Sequence, residues 1–236
     1  MRLRGPAWLH EIPRPIRSGH RGAAGLVVAN TLRSYAEAVR LGCDLVEVDV
    51  QPTSDGTLVL LHDNTITIDG MSRPVAALSL AELQQAAPDV PTLAQALALL
   101  GDQAIPLLDL KGAGFEAQLG AAVQQAGVHR AIVCGQPLSS LLATQRANPA
   151  VATSLTLDAN ALEGIDASTV AAIPTDAVTV NYVRLTAASV GLFHAQGITV
   201  IAWTVDDPAT MRELVAIGVD GITTNRPDLL VAQFPR

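Results

Sequence analysis

Short runs of Val, Ile and Leu recur along the chain, and each is followed by an alanine-rich stretch with apolar positions at helical spacing. That alternation marks consecutive βαβ units, because parallel strands need a crossover, usually a helix, to return the chain to the same edge. The pattern predicts strands over residues 16–20, 45–50, 105–110, 131–134, 152–155, 177–181, 199–204 and 221–223. Helices are predicted over 31–41, 93–99, 115–126, 139–147, 168–172, 187–195 and 209–217, with a last one starting at Asp228. Eight strands and eight helices point to a TIM-type (β/α)8 barrel formed as a single domain over residues 1–236. An open, doubly wound sheet gives a similar alternation, and the strand count favours the barrel. Gly42 and Gly127 follow helical patterns as C′ residues, and Ser79 with Glu82 reads as a capping box.

The run 57–61 breaks the alternation, since residues 51–56 are too few for a parallel crossover. It is predicted to return antiparallel, as a β-hairpin extension after the second strand. With Asp55-Gly56 as a two-residue turn, the count pairs Asp49 with His62. A bulge would shift this register by one residue.

Composition adds a packed core: hydrophobic residues make up 49% and charged residues 16%, while aromatics are only 3%, so aliphatic side chains must fill the interior. The formal charge of −7 disfavours nucleic acid or an anionic membrane as partner. Basic residues gather only at the start, at Arg2, Arg4, Arg14, Arg17 and Arg21, among prolines and without the apolar run of a secretory signal. No stretch is long and apolar enough for a membrane span, so a soluble, cytoplasmic chain without stable membrane insertion is expected. Cys43 and Cys134 lack metal or redox spacing and read as buried small hydrophobes.

Four acidic or basic residues stand out on strands. Glu47 and Asp49 are two apart and so share a face, and Asp109 and Lys111 repeat the device on the next barrel strand. Paired carboxylates repel unless a cation lies between them, and an oxygen-preferring divalent ion serves that purpose. The competing readings are a solvated strand face for the first pair and an inter-strand salt bridge for the second. Lys111 would put a positive charge where a phosphate needs one. His20 ends the first strand and His62 the hairpin's return, both at the rim where barrel active sites form, and two histidines can supply a base and an acid. His10, His129 and His194 have no evident partner and read as structural. Gly22 and Gly25 would let backbone approach a ligand, but no P-loop, GxGxxG or GxSxG pattern occurs.

Together these residues resemble the glycerophosphodiester phosphodiesterase family of phospholipase-C-like barrels. The resemblance is carried by His20-Arg21-Gly22, Asn30-Thr31, Glu47-Val48-Asp49, Thr53-x-Asp55-Gly56 and His62-Asp63. It resumes at Pro91-Thr92-Leu93, Asp109-Leu110-Lys111, Ala202-Trp203-Thr204-Val205 and the stretch from Gly218 to Asn225. It implies hydrolysis of a small-molecule glycerophosphodiester to glycerol 3-phosphate and an alcohol, with His20 and His62 as the acid/base pair. It further implies one divalent cation, Ca²⁺ or Mg²⁺, on Glu47, Asp49 and Asp109, phosphate on Arg21 and Lys111, and Trp203 beside the glycerol part. The chain departs from the family in carrying Ala29 where a Glu precedes Asn-Thr, Asp109 where a Glu is usual, and a short segment 64–91 that suggests a more open mouth. Two other readings compete: a lysophospholipase D or sphingomyelinase D-like enzyme, identified by a cyclic phosphate product, and a non-catalytic phosphate binder, for which two histidines would be superfluous.

Overall fold

A computed structural model describes residues 3–236; Arg2 of the basic N-terminal series lies outside the described residues. In chain order the strands are β1 (Ile16–Gly19), β2 (Leu45–Pro52), β3 (Leu58–Leu60), β4 (Thr65–Ile68), β5 (Met71–Pro74), β6 (Ile105–Leu110), β7 (Ile132–Gly135), β8 (Ala152–Leu157), β9 (Ala177–Asn181), β10 (Thr199–Trp203) and β11 (Gly221–Thr224). Eight of them, β1, β2 and β6 to β11, run parallel and close a barrel, while the short strands β3 to β5 are inserted after β2. Closure is made by β1, which pairs with β11 through Ser18 opposite Thr223 and with β2 through Ser18 opposite Leu45. Each predicted barrel strand and helix is present, with no end moved by more than two residues.

The alternation of side chains along each strand divides the core in two. Outward residues such as Val46, Val48, Leu108 and Val133 pack beneath the helices Leu32–Leu41, Leu93–Leu100 and Glu116–Gln125. Inward residues Ile16, Leu45, Ile105, Leu107, Ile132, Ala152 and Ile201 form a separate cluster inside the barrel. Both faces are buried, which is why the strands read as nearly continuous apolar runs. The helix Ala7–Glu11, absent from the predicted elements, sets Leu9 and Ile12 into the inner cluster and closes the barrel's N-terminal end. The basic residues beside it serve as ties: Arg17 pairs with Asp44 and Arg14 with Asp220. His194 also has a partner after all, its Nε2 lying 2.9 Å from Asp220 Oδ2, and the role remains structural.

The hairpin after β2 forms, but its register corrects the pairing of Asp49 with His62. Val50 faces Leu60, Gln51 faces Val59 and Pro52 faces Leu58, so Asp49 falls opposite Leu61, whose N–H donates to the Asp49 carbonyl at 3.1 Å. The loop has three residues instead of two: Gly56 N–H closes a turn onto the Thr53 carbonyl at 3.0 Å, and Gly56 at φ +79° supplies the left-handed position that ends such a loop. The segment 64–91 is also more structured than its sequence suggested. It builds the β4–β5 hairpin and the helix Leu80–Ala86, whose capping box joins Ser79 and Glu82 as predicted. Among the described residues, no helix is long and apolar enough to cross a membrane.

Candidate active site

Because Glu47, Asp49 and Asp109 share the inward parity of Leu45, Ile105 and Leu107, they stand in the barrel above its apolar floor, near the C-terminal ends of β2 and β6. There a cavity of about 430 Å³ opens, lined by His20, Arg21, Glu47, His62, Asp109, Lys111 and Trp203 among others. Seven of the eight residues singled out from the sequence therefore meet around one space. Asp49, the eighth, is fully buried behind this lining.

One oxygen from each of Glu47, Asp49 and Asp109 lies within 4.8 Å of the others. Their surroundings differentiate them. Asp49 Oδ2 accepts from Asn30 Nδ2 at 2.6 Å and meets Arg21 Nε at 3.1 Å, while Oδ1 lies 2.7 Å from Lys111 Nζ. Burial alone would raise the Asp49 pKa, but Lys111, Asn30 and Arg21 outweigh it and hold the carboxyl below its usual range. Glu47 receives only the Arg21 backbone N–H, at 2.6 Å, and burial with the neighbouring Asp49 and Asp109 pushes its pKa well up. Burial also raises Asp109, partly offset by Lys111, whose Nζ is 2.5 Å from Asp109 Oδ2. For Lys111 burial opposes the charge, yet Asp109 and Asp49 raise its pKa. Three inward carboxylates offer oxygen donors within reach of one ion, and the mutual repulsion that raises Glu47 and Asp109 is what a hard divalent cation would relieve.

The two expected phosphate cations are thus both engaged with Asp49, which tethers them at the cavity wall. Arg21 adopts φ +50°, a conformation that aims its N–H at Glu47. Gly22 and Gly25, expected to allow close backbone approach, meet the protein's own backbone. A Cβ on Gly22 would lie 2.5 Å from the Ser34 backbone and one on Gly25 2.7 Å from the Asn225 carbonyl, so both glycines are needed for loop-to-protein packing.

The histidines differ in setting. His20 Nδ1 is 2.7 Å from Asn225 Oδ1, and burial lowers its pKa despite that bond, with Arg21 acting in the same sense. His62 is 44% exposed, and its Nδ1 contacts Asp63 Oδ1 at 2.8 Å. Its position follows from Gln51, whose Nε2 donates to the Leu61 and Asp63 carbonyls at 2.6 and 2.9 Å and fixes the chain on both sides of His62.

Sequence reasoning assigned no role to Gln51, Asn30 or Asn225. Asn30 and Asn225 lie inside the motifs quoted above, and that was their only signal; Gln51, one more inward-facing residue beyond Asp49, was visible only through strand parity. Cys134 is buried in the inner cluster, as expected, and also borders the cavity, with its Sγ 3.7 Å from Asp109 Oδ1.

Comparison with known proteins identifies the family and the fold. The model of the glycerophosphoryl diester phosphodiesterase family matches residues 20–229. A glycerophosphodiester phosphodiesterase of Bacillus subtilis is 29% identical over 92% of this chain and 85% of its own length. One from Caldanaerobacter subterraneus is 26% identical over 90% and 94% of the two chains. The fold matches that of an Oleispira antarctica phosphodiesterase solved with sn-glycerol-3-phosphate, with a TM-score of 0.81, 22% identity and coverage of 97% and 99%. The chain belongs to the glycerophosphoryl diester phosphodiesterase family and is an enzyme of the phosphoric diester hydrolase class.

Proposed function

We propose that this enzyme hydrolyses glycerophosphodiesters to glycerol 3-phosphate and an alcohol, in a divalent-metal-dependent reaction that uses His20 as base and His62 as acid. The observation that carries the reading is the asymmetry of two histidines on one cavity. His20 is sunk against a neutral amide with its pKa lowered, and His62 is open to solvent. The product seen on the Oleispira protein is the one this reaction would release.

In this scheme His20 Nε2 takes the proton of the attacking oxygen as that oxygen bonds to phosphorus. His62 gives its proton to the alcohol oxygen as the other P–O bond breaks, and solvent can reprotonate it. Arg21 and Lys111, tethered on Asp49, face the equatorial phosphoryl oxygens, where charge grows. Trp203 flanks the polyol part of the substrate. Glu47, Asp49 and Asp109 would hold Ca²⁺ or Mg²⁺, which polarises a phosphoryl oxygen when bound.

Purified protein assayed on glycerophosphocholine and glycerophosphoethanolamine with Ca²⁺, Mg²⁺, Mn²⁺ or EDTA tests the proposal. Metal-dependent release of glycerol 3-phosphate is expected. A cyclic phosphate as final product would assign the chain to the lysophospholipase D or sphingomyelinase D-like chemistry, and activity untouched by EDTA or by His20→Ala would remove the mechanism.

A further inference from the structure

His20, Asn225 and Asp206 follow the neighbouring strands β1, β11 and β10, so strand order brings their side chains together at the rim. His20 N–H extends the β1–β11 ladder by donating to the Thr224 carbonyl at 2.8 Å, which fixes the base of the imidazole. Asp206 Oδ1 accepts from Thr224 Oγ1 at 2.9 Å and from the Asn225 N–H at 2.7 Å. Its Oδ2 accepts from Asn225 Nδ2 at 2.8 Å. The other end of that amide, Oδ1, is 2.7 Å from His20 Nδ1.

Each member of this chain has only one permissible role. A carboxylate can only accept, so the Asn225 amide must turn its NH₂ to Asp206 and its oxygen to the histidine. An amide oxygen can only accept, so His20 Nδ1 must carry hydrogen. In the neutral ring Nε2 is then bare, the form a general base requires. A free Asn–His pair has no such preference, because the amide can flip and offer either end.

We infer that Asp206 is a positioning residue that sets the tautomer of His20 through the amide of Asn225. The effect on rate rests on His20 being the base, as proposed above; the effect on the tautomer does not. A purely structural Asp206, tying Thr224 and the Asn225 N–H to the β10 loop, would influence stability and leave the imidazole unchanged.

The isosteric variant Asp206→Asn separates the two roles. Its side-chain oxygen still accepts from Thr224 and the Asn225 N–H, but its NH₂ now meets the Asn225 side chain. That amide must then flip and present NH₂ to His20, which forces the Nε2–H tautomer. Adding Asn225→Asp reverses donor and acceptor once more: the new carboxylate accepts from the amide introduced at position 206 with one oxygen and from His20 Nδ1–H with the other.

Long-range ¹H–¹⁵N correlation spectra of the full chain, recorded where imidazole is neutral and assigned with His20→Ala, report the tautomer directly. The expected results are Nδ1–H in the wild type, Nε2–H in Asp206→Asn and Nδ1–H again in the double variant. The kcat of Asp206→Asn should fall by about 10² or more, the scale of a lost general base, and recover in the double variant. If Asp206→Asn folds poorly, Asp206→Ala serves instead, with a mixture of tautomers expected from the released amide. A pure Nδ1–H signal in either single variant overturns the inference. Full activity of His20→Ala would defeat the base assignment alone, leaving the tautomer result to decide the role of Asp206.

Discussion

Lys111 Nζ stands 2.7 Å from Asp49 Oδ1, on an edge of the same carboxylate trio that would hold the metal. In the metal-free protein this ammonium is a main counter-charge to a buried aspartate, shared with Arg21. A buried charge left wholly without its partner costs about 3–5 kcal/mol, and with Arg21 still on Asp49 the loss of Lys111 should cost part of that. Lys111→Met should therefore lower the melting temperature in EDTA, and saturating Mn²⁺ or Ca²⁺ should return much of the loss by supplying another cation. Thermal melts with and without metal measure this; an equal loss in both conditions would contradict it.

Metal binding should release a proton. Glu47 has its pKa raised by burial and by Asp49 and Asp109, so the metal-free site keeps a proton at a pH where an exposed glutamate has none. A cation needs the carboxylate, so affinity rises with pH as deprotonation ceases to oppose binding. Calorimetric titration in two buffers of different ionisation enthalpy should give different apparent heats. Glu47→Gln should weaken binding and abolish the difference.

The acid limb of kcat/KM should lie below the ordinary imidazole value of about 6.5. A base works when neutral, so activity rises as pH increases through its pKa, and burial of His20 shifts that pKa downward. Asn225→Asp made together with Asp206→Asn, so that the new carboxylate meets an amide and not the Asp206 carboxylate, puts a negative charge beside the ring, stabilises the imidazolium and should move the limb to higher pH. A wild-type limb above the ordinary value would contradict this account of His20.

His62 and His20 should respond differently to the leaving group. His62→Ala should lose about 10²–10⁴-fold on a glycerophosphodiester with an alkyl alcohol, and far less on a p-nitrophenyl ester that departs without protonation. His20→Ala should be impaired on both. Equal losses for His62→Ala on the two substrates would remove its role as acid.

Leu9 is fully buried where the N-terminal helix closes the barrel, far along the strands from the rim. Leu9→Ala should destabilise the fold by about 2–5 kcal/mol, read by denaturant unfolding, with kcat/KM preserved well below the melting temperature. A change in kcat/KM would mean that the floor and the site are coupled.

The sequence alone determined the barrel, because alternating apolar strands and amphipathic helices of the right number have few other ways to bury both faces of each strand. It also determined which carboxylates face inward, since side-chain period along a strand is fixed by backbone geometry, and it placed both histidines at strand ends. The helix Ala7–Glu11 was hidden by its five-residue length, too short for a periodic signal, among prolines and arginines. Only the tertiary structure decided the rest. The three-residue loop ending at Gly56 shifted His62 off Asp49, a one-residue difference that turn composition does not resolve. Closure of the barrel set Lys111 and Arg21 on Asp49 and brought His20 onto Asn225, 205 positions away, to join Asp206 in one hydrogen-bonded chain. Local pattern dictates which way a side chain points, whereas the partner it finds there depends on strands that meet only once the sheet has closed.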